Sequence, residues 1–186
     1  TSLNICVEEK RMDNVEEARR SIAVAQGLGA GFIRVFGGGQ NTERTREELM
    51  TEGRATMEAV LGLNGARDLK WVVETHDHWS RGADCRALVD AIDDPAVGIL
   101  WDMGLTTAFA DEKPEESLAA LGDDIWYTHI KDHTLAVGER KLALPGQGGM
   151  PLAEAVRLLR DNGYDGWYVF EHEKRWHPEI EDPEEA

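Results

Sequence analysis

The sequence predicts an α/β fold of the (β/α)8 TIM-barrel type, because apolar strands alternate with helices along the whole chain. Four of these strands run into a carboxylate or an imidazole, at Glu74, Asp102, His129 and Glu171. The first three follow one another at intervals of about one strand–helix unit. Equivalent side chains on successive strands favour the barrel over an open doubly wound sheet, whose ligands gather where strand order reverses.

Six strands are predicted, the first from alternating apolar and polar residues and the others from short apolar runs rich in β-branched or aromatic residues. They are 2–7, 32–36, 71–74, 97–101, 125–129 and 167–171. A barrel of this type needs eight strands and typically about 250 residues. We therefore expect an incomplete barrel of about six units, with the first two units missing from the N-terminal side.

Helices are predicted between the strands, where apolar residues recur at three- and four-residue steps. Asp13 or Asn14 is expected to cap the first helix, and Thr45 or Thr42 the second. The predicted helices are 15–25, 46–61, 84–92, 114–121 and 151–160, and residues 142–149 are predicted to form a loop. This regular alternation is typical of a parallel sheet covered by helices.

The composition is that of a globular domain with a strong acidic excess. The 186 residues are 41% hydrophobic, so we expect one partial-barrel domain over 1–186 with an acidic tail at about 179–186. The 36 acidic and 20 basic residues give a formal charge of −16, which argues against a nucleic-acid partner. No stretch approaches the roughly 18 apolar residues of a membrane span. Cys6 and Cys85 are far apart in sequence, which favours reduced thiols in a cytoplasmic protein over a disulfide.

Seven short stretches are specific when their order and spacing are taken together, although each is weak alone. They are 28–30, 33–38, 74–77, 101–104, 129–132, 146–148 and 170–178. Over nearly the whole chain, this pattern resembles the xylose isomerase-like barrel family, and within it the sugar phosphate isomerase/epimerase group. The resemblance implies that the chain begins at the family's third strand.

The resemblance also implies one divalent metal ion held by Glu74, Asp102, His129 and Glu171. Three carboxylates and one imidazole suit Mn²⁺, Mg²⁺ or Co²⁺, and Zn²⁺ also fits. The implied reaction is proton transfer beside a metal-polarised carbonyl of a sugar or sugar phosphate, with Glu74 and Glu171 as the catalytic pair. Such a protein is a metal-dependent isomerase or epimerase of carbohydrate metabolism.

Three assignments around this site stay open on the sequence. Glu173 shares the strand parity of Glu171 and is the alternative ligand. A structural role is the alternative for Glu74, as a salt-bridged carboxylate, and for His129, as an uncoordinated core histidine. A buried carboxylate of this kind costs free energy unless it is paired or binds a cation.

Three further residues are candidate substrate contacts. His76 lies on the same strand face as the glutamate two residues before it and is favoured over His78. Lys131 is suited to neutralise an enediolate or a substrate phosphate, or else pairs with Asp132 or another carboxylate. Arg175 either contacts substrate at the site rim or packs in the closing turn.

One position departs from the family pattern. A histidine often follows the aspartate ligand by three residues, whereas this chain has Leu105 there. Its loss argues against the multi-zinc DNA-repair endonuclease branch and leaves the ordinary sugar-isomerase pose in doubt. The alternatives are a lyase that dehydrates a polyol or cyclic keto acid, or a non-catalytic incomplete barrel. The open edges of such a barrel predict a homo-oligomer.

Overall fold

A computed structural model describes residues 1–40, 42–134 and 141–182 of the chain. Its strands are β1 (Phe32–Val35), β2 (Lys70–Glu74), β3 (Val97–Asp102), β4 (Ile125–Ile130), β5 (Asp132–His133), β6 (Leu142–Ala143) and β7 (Trp167–Phe170). Five of them form a parallel sheet in the order β1-β2-β3-β4-β7, and β5 pairs with β6 in an antiparallel ladder. The predicted class, an incomplete barrel of parallel strands with helices, is confirmed.

Helices follow the strands and cover one face of the sheet. In the described part of the chain they are α1 (Arg11–Leu28), α2 (Arg46–Leu61), α3 (Gly82–Ile92), α4 (Met103–Ala110), α5 (Pro114–Leu121) and α6 (Leu152–Asp161). Neighbours pack side by side in the order α1, α2, α3, α5 and α6. None of these helices is long and apolar enough to cross a membrane.

The two faces of the sheet differ in what they bury. Trp71 and Trp101 are fully buried in the core that joins the sheet to the helices. On the other face, the rings of Phe32 and Tyr127 lie 5.4 Å apart between centroids. The sheet curls around this inner face, and its carboxyl end positions the site.

The predicted strand over 2–7 is wrong, so the sheet has five strands rather than six. This segment makes one bridge, between Asn4 and Phe36, although Ile5 is buried and donates a 3.0 Å hydrogen bond to the Phe36 carbonyl. The chain then turns into a 3-10 helix at Glu8–Lys10. The alternating pattern therefore predicted the burial of Leu3 and Ile5 correctly, but Cys6 is buried as well and the ladder is shorter than predicted.

The first helix begins at Arg11, four residues earlier than predicted, and the predicted side-chain cap is wrong. Asn14 is buried and exchanges two hydrogen bonds with the backbone of Asn4, which ties α1 to the first segment. The predicted cap at Thr45 is confirmed, because its side chain and Glu48 form a capping box.

The predicted loop over 142–149 is wrong at its start, where Leu142–Ala143 forms β6. The rest of the loop is held by the buried carboxylate of Asp132. Its backbone donors are the N–H groups of His133, Gly146, Gly148 and Met150. A Cβ at Gly148 would lie 2.1 Å from Asp132 Oδ1, so this close approach requires glycine.

Part of the predicted acidic tail folds back on the segment that follows β7. The ammonium of Lys174 lies 3.0 Å from the carboxylate of Asp182. His172 Nε2 lies 3.0 Å from the backbone oxygen of Glu181. Residues 183–186 of the predicted tail lie outside the described residues.

The two cysteines are free and buried, as predicted from their separation in sequence. Burial raises the pKa of Cys6 to about 12. Burial also raises the pKa of Cys85. Both thiols are therefore protonated packing groups at neutral pH.

Candidate metal centre and substrate cavity

The four side chains predicted at the strand ends lie together in the structure. One ligand atom from each of Glu74, Asp102, His129 and Glu171 lies within 4.8 Å of the others. The two carboxylates from β2 and β3 are fully buried, whereas the side chain of Glu171 is 23% exposed. The structure thus brings the four residues to one place, and their role as metal ligands stays a prediction.

The parallel register explains why these side chains meet. Asp102 on β3 is the ladder partner of His129 on β4. Thr75, which follows β2, accepts a 2.9 Å hydrogen bond through its hydroxyl from the Asp102 N–H. At the other edge, the Glu171 N–H donates to the Ile130 carbonyl at 3.1 Å. Backbone bonds that continue past the strand ends therefore fix the spacing of the cluster.

Two carboxylate oxygens in this cluster are buried without a hydrogen bond from the described residues, Glu74 Oε2 and Asp102 Oδ2. The other oxygen of each carboxylate does have a partner. Glu74 Oε1 lies 3.0 Å from His129 Nδ1, and Asp102 Oδ1 accepts hydrogen bonds from the Gly104 and Leu105 N–H groups, both at 2.9 Å. Buried polar atoms of native proteins are normally satisfied. Both oxygens do lie within ion-pair distance of a cation, Glu74 Oε2 at 3.2 Å from Arg34 Nη1 and Asp102 Oδ2 at 3.6 Å from Lys131 Nζ. Carboxylate oxygens of this kind, beside an imidazole, fit a divalent cation.

Lys131 is a buried cation in contact with the cluster. Its ammonium contacts the carboxylate of Glu171, and it lies 2.9 Å from Glu173 Oε1 and 3.6 Å from Asp102 Oδ2. The predicted pairing with Asp132 is not what the structure shows, because that carboxylate accepts four backbone N–H groups. The prediction that Lys131 pairs with a carboxylate other than Asp132 is confirmed.

Arg34 is a site residue that the sequence analysis missed. From β1, its guanidinium Nη1 lies 2.9 Å from Glu171 Oε1 and 3.2 Å from Glu74 Oε2. It therefore bridges the two glutamates predicted to be catalytic and connects the first and last strands of the sheet. A lone arginine within the apolar run of β1 was the available signal, since a strand interior rarely holds an unpaired charge.

Burial and charge act in opposite directions on the titratable groups of the cluster. Burial raises the pKa of Asp102 to about 7, against the opposing effect of Lys131. Burial alone would also raise the pKa of Glu171, but the nearby Lys131 outweighs it and the pKa is lowered. For Lys131, burial disfavours the charge, yet the Asp102 and Glu171 carboxylates raise its pKa overall. The ammonium is therefore charged over the whole physiological range.

Two cavities adjoin the cluster, of about 810 and 400 Å³. They share His76, Asp77, Lys131 and Glu173 as lining residues. The larger one also has apolar walls from residues such as Leu105 and Phe109, and the smaller one includes Arg34 and Glu171. Cavities with apolar walls and a few polar groups are typical of small-molecule sites.

Of the predicted substrate contacts, His76 lines the cavities and Arg175 does not. His76 lines both cavities, and its Nδ1 lies 3.0 Å from Asp77 Oδ2. His78, the less favoured alternative, is exposed and lines neither of these two cavities. Arg175 is exposed, and its guanidinium stacks 4.9 Å from the ring centroid of Trp176. Arg175 lines neither cavity, although Trp176 lines the smaller one, and its contact with substrate stays a prediction.

The segment after Asp102 shapes the cavity wall. A Cβ at Gly104 would lie 2.1 Å from the backbone oxygen of Lys131, so only glycine allows α4 to approach β4 this closely. Leu105, the position at which the sequence departs from the family pattern, is buried and lines the larger cavity. The departure from the family pattern thus replaces a polar group by an apolar wall.

Comparison with known proteins identifies the family of this fold. The family described as xylose isomerase-like TIM barrel matches residues 2–186. The chain belongs to this family. Among curated proteins, 3-oxo-isoapionate decarboxylase from Pectobacterium atrosepticum is 27% identical over 169 residues, which are 88% of this chain and 59% of that protein. The chain therefore spans less than two thirds of the length of that relative.

Solved structures share the fold at low sequence identity. The 3-keto-D-glucoside 4-epimerase YcjR from E. coli superposes with a TM-score of 0.72 and 20% identity, over 96% of this chain and 69% of that one. A xylose isomerase-like TIM barrel protein from Mycobacterium smegmatis, in complex with magnesium, gives a TM-score of 0.69 and 19% identity over 91% and 63%. Both confirm the barrel-type fold.

Proposed function

We propose that this chain provides the site of a divalent-metal-dependent isomerase or epimerase that acts on a sugar or sugar phosphate. The observation that carries the proposal is the convergence of Glu74, Asp102, His129 and Glu171 from four strands to within 4.8 Å. A solved structure of similar fold is that of a 3-keto-D-glucoside 4-epimerase, which supports the same class of reaction.

The donor set supports a hard or borderline divalent ion, of which Mn²⁺, Mg²⁺ and Co²⁺ are the best matches and Zn²⁺ an alternative. The related M. smegmatis protein in complex with magnesium supports this choice. Bound here, the ion would polarise a substrate carbonyl. Asp102 and His129, held in ladder register, are the fixed ligands, and the two glutamates complete the set.

Proton transfer is assigned to the two glutamates. Glu74 takes a proton from the carbon next to the carbonyl and releases it to solvent. Glu171, which is ionised at rest, takes up a proton from solvent and delivers it to a carbon of the resulting enediolate. Arg34 contacts both carboxylates and keeps them oriented. Lys131 lines both cavities, and its ammonium stabilises negative charge on the substrate oxygen or phosphate. The proton removed and the proton returned balance, so no other reactant is needed.

The proposal is tested by deuterium incorporation from ²H₂O into a panel of ketoses and ketose phosphates. The chain is first freed of metal with a chelator and then reloaded with Mn²⁺, Mg²⁺ or Co²⁺. We expect deuterium at the carbon next to the carbonyl only in the reloaded samples. The metal-free sample is the control. Absence of exchange with every metal and substrate would contradict the proposal.

A lyase reaction at the same site is the second candidate. The curated relative is a decarboxylase, and Leu105 gives the larger cavity an apolar wall. The same abstraction of a proton by Glu74 can be followed by loss of a neighbouring hydroxyl as water. Mass spectrometry of a polyol and keto-acid panel separates the two reactions, because an isomerase leaves the mass unchanged whereas a lyase releases water or carbon dioxide.

A further inference from the structure

We propose that Glu173 is a positioning residue, which holds the ammonium of Lys131 beside the metal ligands and so protects the metal site from an internal competitor. This inference rests on the metal site of the proposed function. It assigns a role to the carboxylate that the sequence offers only as an alternative ligand. In the structure, Glu173 is outside the four-residue cluster.

Lys131 contacts two of the four predicted ligands. Its ammonium contacts the Glu171 carboxylate and forms an ion pair at 3.6 Å with Asp102 Oδ2, an oxygen that accepts no hydrogen bond from the described residues. A divalent cation bound by the same two carboxylates would repel an ammonium at this distance, strongly so in a buried site. The lysine and the metal therefore compete for the negative charge of Glu171 and Asp102.

Glu173 pairs with Lys131 and is not one of the four predicted metal ligands. Glu173 Oε1 lies 2.9 Å from Lys131 Nζ, and Oε2 lies 3.6 Å from His177 Nε2. Both Glu173 and His177 line the larger cavity. The contact thus draws the ammonium to the cavity side of the cluster, where a substrate oxygen is expected.

Burial makes this partner necessary. Lys131 is 3% exposed, so water cannot replace a lost carboxylate. Without Glu173, the carboxylates within 4 Å of the ammonium in the described part of the chain are the predicted ligands Glu171 and Asp102. Removal of Glu173 should therefore strengthen the competition and weaken metal binding, although Glu173 does not touch the ion.

The test is a double-mutant cycle on Mn²⁺ affinity, measured by titration calorimetry on the whole chain after chelator treatment. The variants are Glu173→Gln, Lys131→Met and the two together, with Glu179→Gln as the matched control. Glu179 lines the same cavity and carries the same charge, but it pairs with His177 rather than with Lys131. We expect about a tenfold loss of affinity in Glu173→Gln, typical of residues that support a ligand shell. In the Lys131→Met background, the same change should alter affinity by less than about twofold.

Each outcome decides between the roles. An equal loss in both backgrounds would mean that Glu173 is itself a ligand, and an unchanged affinity in Glu173→Gln would remove its role altogether. A loss in Glu179→Gln of the same size would show a general charge effect and overturn the inference. Failure of the unsubstituted chain to bind Mn²⁺, Mg²⁺, Co²⁺ or Zn²⁺ would instead contradict the metal site of the proposed function.

If the Lys131→Met variant does not fold, a second measurement tests the inference without it. Thermal unfolding against Mn²⁺ concentration then gives the affinity of Glu173→Gln, Glu179→Gln and Glu171→Gln. The inference requires a clear loss in Glu173→Gln that is smaller than the loss in Glu171→Gln, with Glu179→Gln unchanged. Any other order contradicts it.

Discussion

Asp102 and Glu171 end two parallel strands of one sheet, yet their surroundings are opposite. All six residues of β3 are buried, including Asp102 at its end. Three of the four residues of β7 are exposed, and the side chain of Glu171 is 23% exposed. The pKa of Asp102 is raised, whereas the pKa of Glu171 is lowered.

The difference follows from the neighbours of each strand. β3 lies between β2 and β4 and is covered by α3, so desolvation dominates at its end. β7 pairs with β4 alone in the described sheet, and the cations Lys131 and Arg34 dominate at its end. Both strands are apolar runs that lead into an acidic residue, yet the two carboxylates differ. Asp102 after β3 is shielded from water, whereas Glu171 after β7 is kept ionised by the neighbouring cations.

The largest effect is expected on the rate of proton exchange when the buried Glu74 is changed. Glu74→Gln preserves the shape of the side chain but removes the proposed base. We expect the rate of solvent proton exchange to fall on the order of 10²–10⁴-fold. The measurement is deuterium exchange at saturating Mn²⁺, with metal content checked on the same sample. An active variant with normal metal content would exclude Glu74 from the mechanism.

A pair of tryptophan substitutions compares the two strands directly. Trp101 on β3 is fully buried and its indole N–H donates to Thr106 Oγ1 at 3.1 Å, whereas Trp167 on β7 is 63% exposed. Trp101→Ala should lower the free energy of unfolding by about 3–5 kcal/mol. Trp167→Ala should lower it by less than about 1 kcal/mol. Urea unfolding measures both, and equal losses would mean that β7 is covered in solution.

The raised pKa of Asp102 predicts a pH-dependent metal affinity. Its pKa in the metal-free fold is about 7, against an ordinary value of 3.8. The protonated carboxyl stabilises the metal-free fold at low pH, and this contribution is lost as the pH rises through about 7. Because a bound cation must displace that proton, Mn²⁺ affinity should fall about tenfold per pH unit below 7. Calorimetry from about pH 5.5 to 8 measures the slope. A flat profile would show that Asp102 is already ionised without metal.

The smallest effect concerns the open edge of the sheet. Exposed aromatic residues and an unpaired strand edge favour association, so we expect the 186-residue chain to form oligomers. Trp167→Lys should shift the average mass towards the monomer. Val24→Lys, on the exposed face of α1 and 59% exposed, is the matched control. Light scattering over a dilution series measures both, and a monomeric parent chain at every concentration would contradict the prediction.

The sequence by itself determined the class of the fold, the family and the residue types at the strand ends. Apolar runs that end in Glu74, Asp102, His129 and Glu171 are visible without any structure. These features are local, because a strand of parallel sheet reveals itself by its own composition. The carboxyl ends of parallel strands share one edge, so the four side chains were predictable as a group.

Only the tertiary structure decided which charges meet across the sheet. Arg34 on β1 reaches Glu171 after β7, although 136 residues lie between them, because the sheet curls. Glu173 pairs with Lys131 rather than joining the cluster, and the segment over 2–7 forms one bridge instead of a strand. Each of these outcomes depends on distance and burial between distant segments. Local periodicity carries no information on such contacts, since they arise only when the strands take up their places in the sheet.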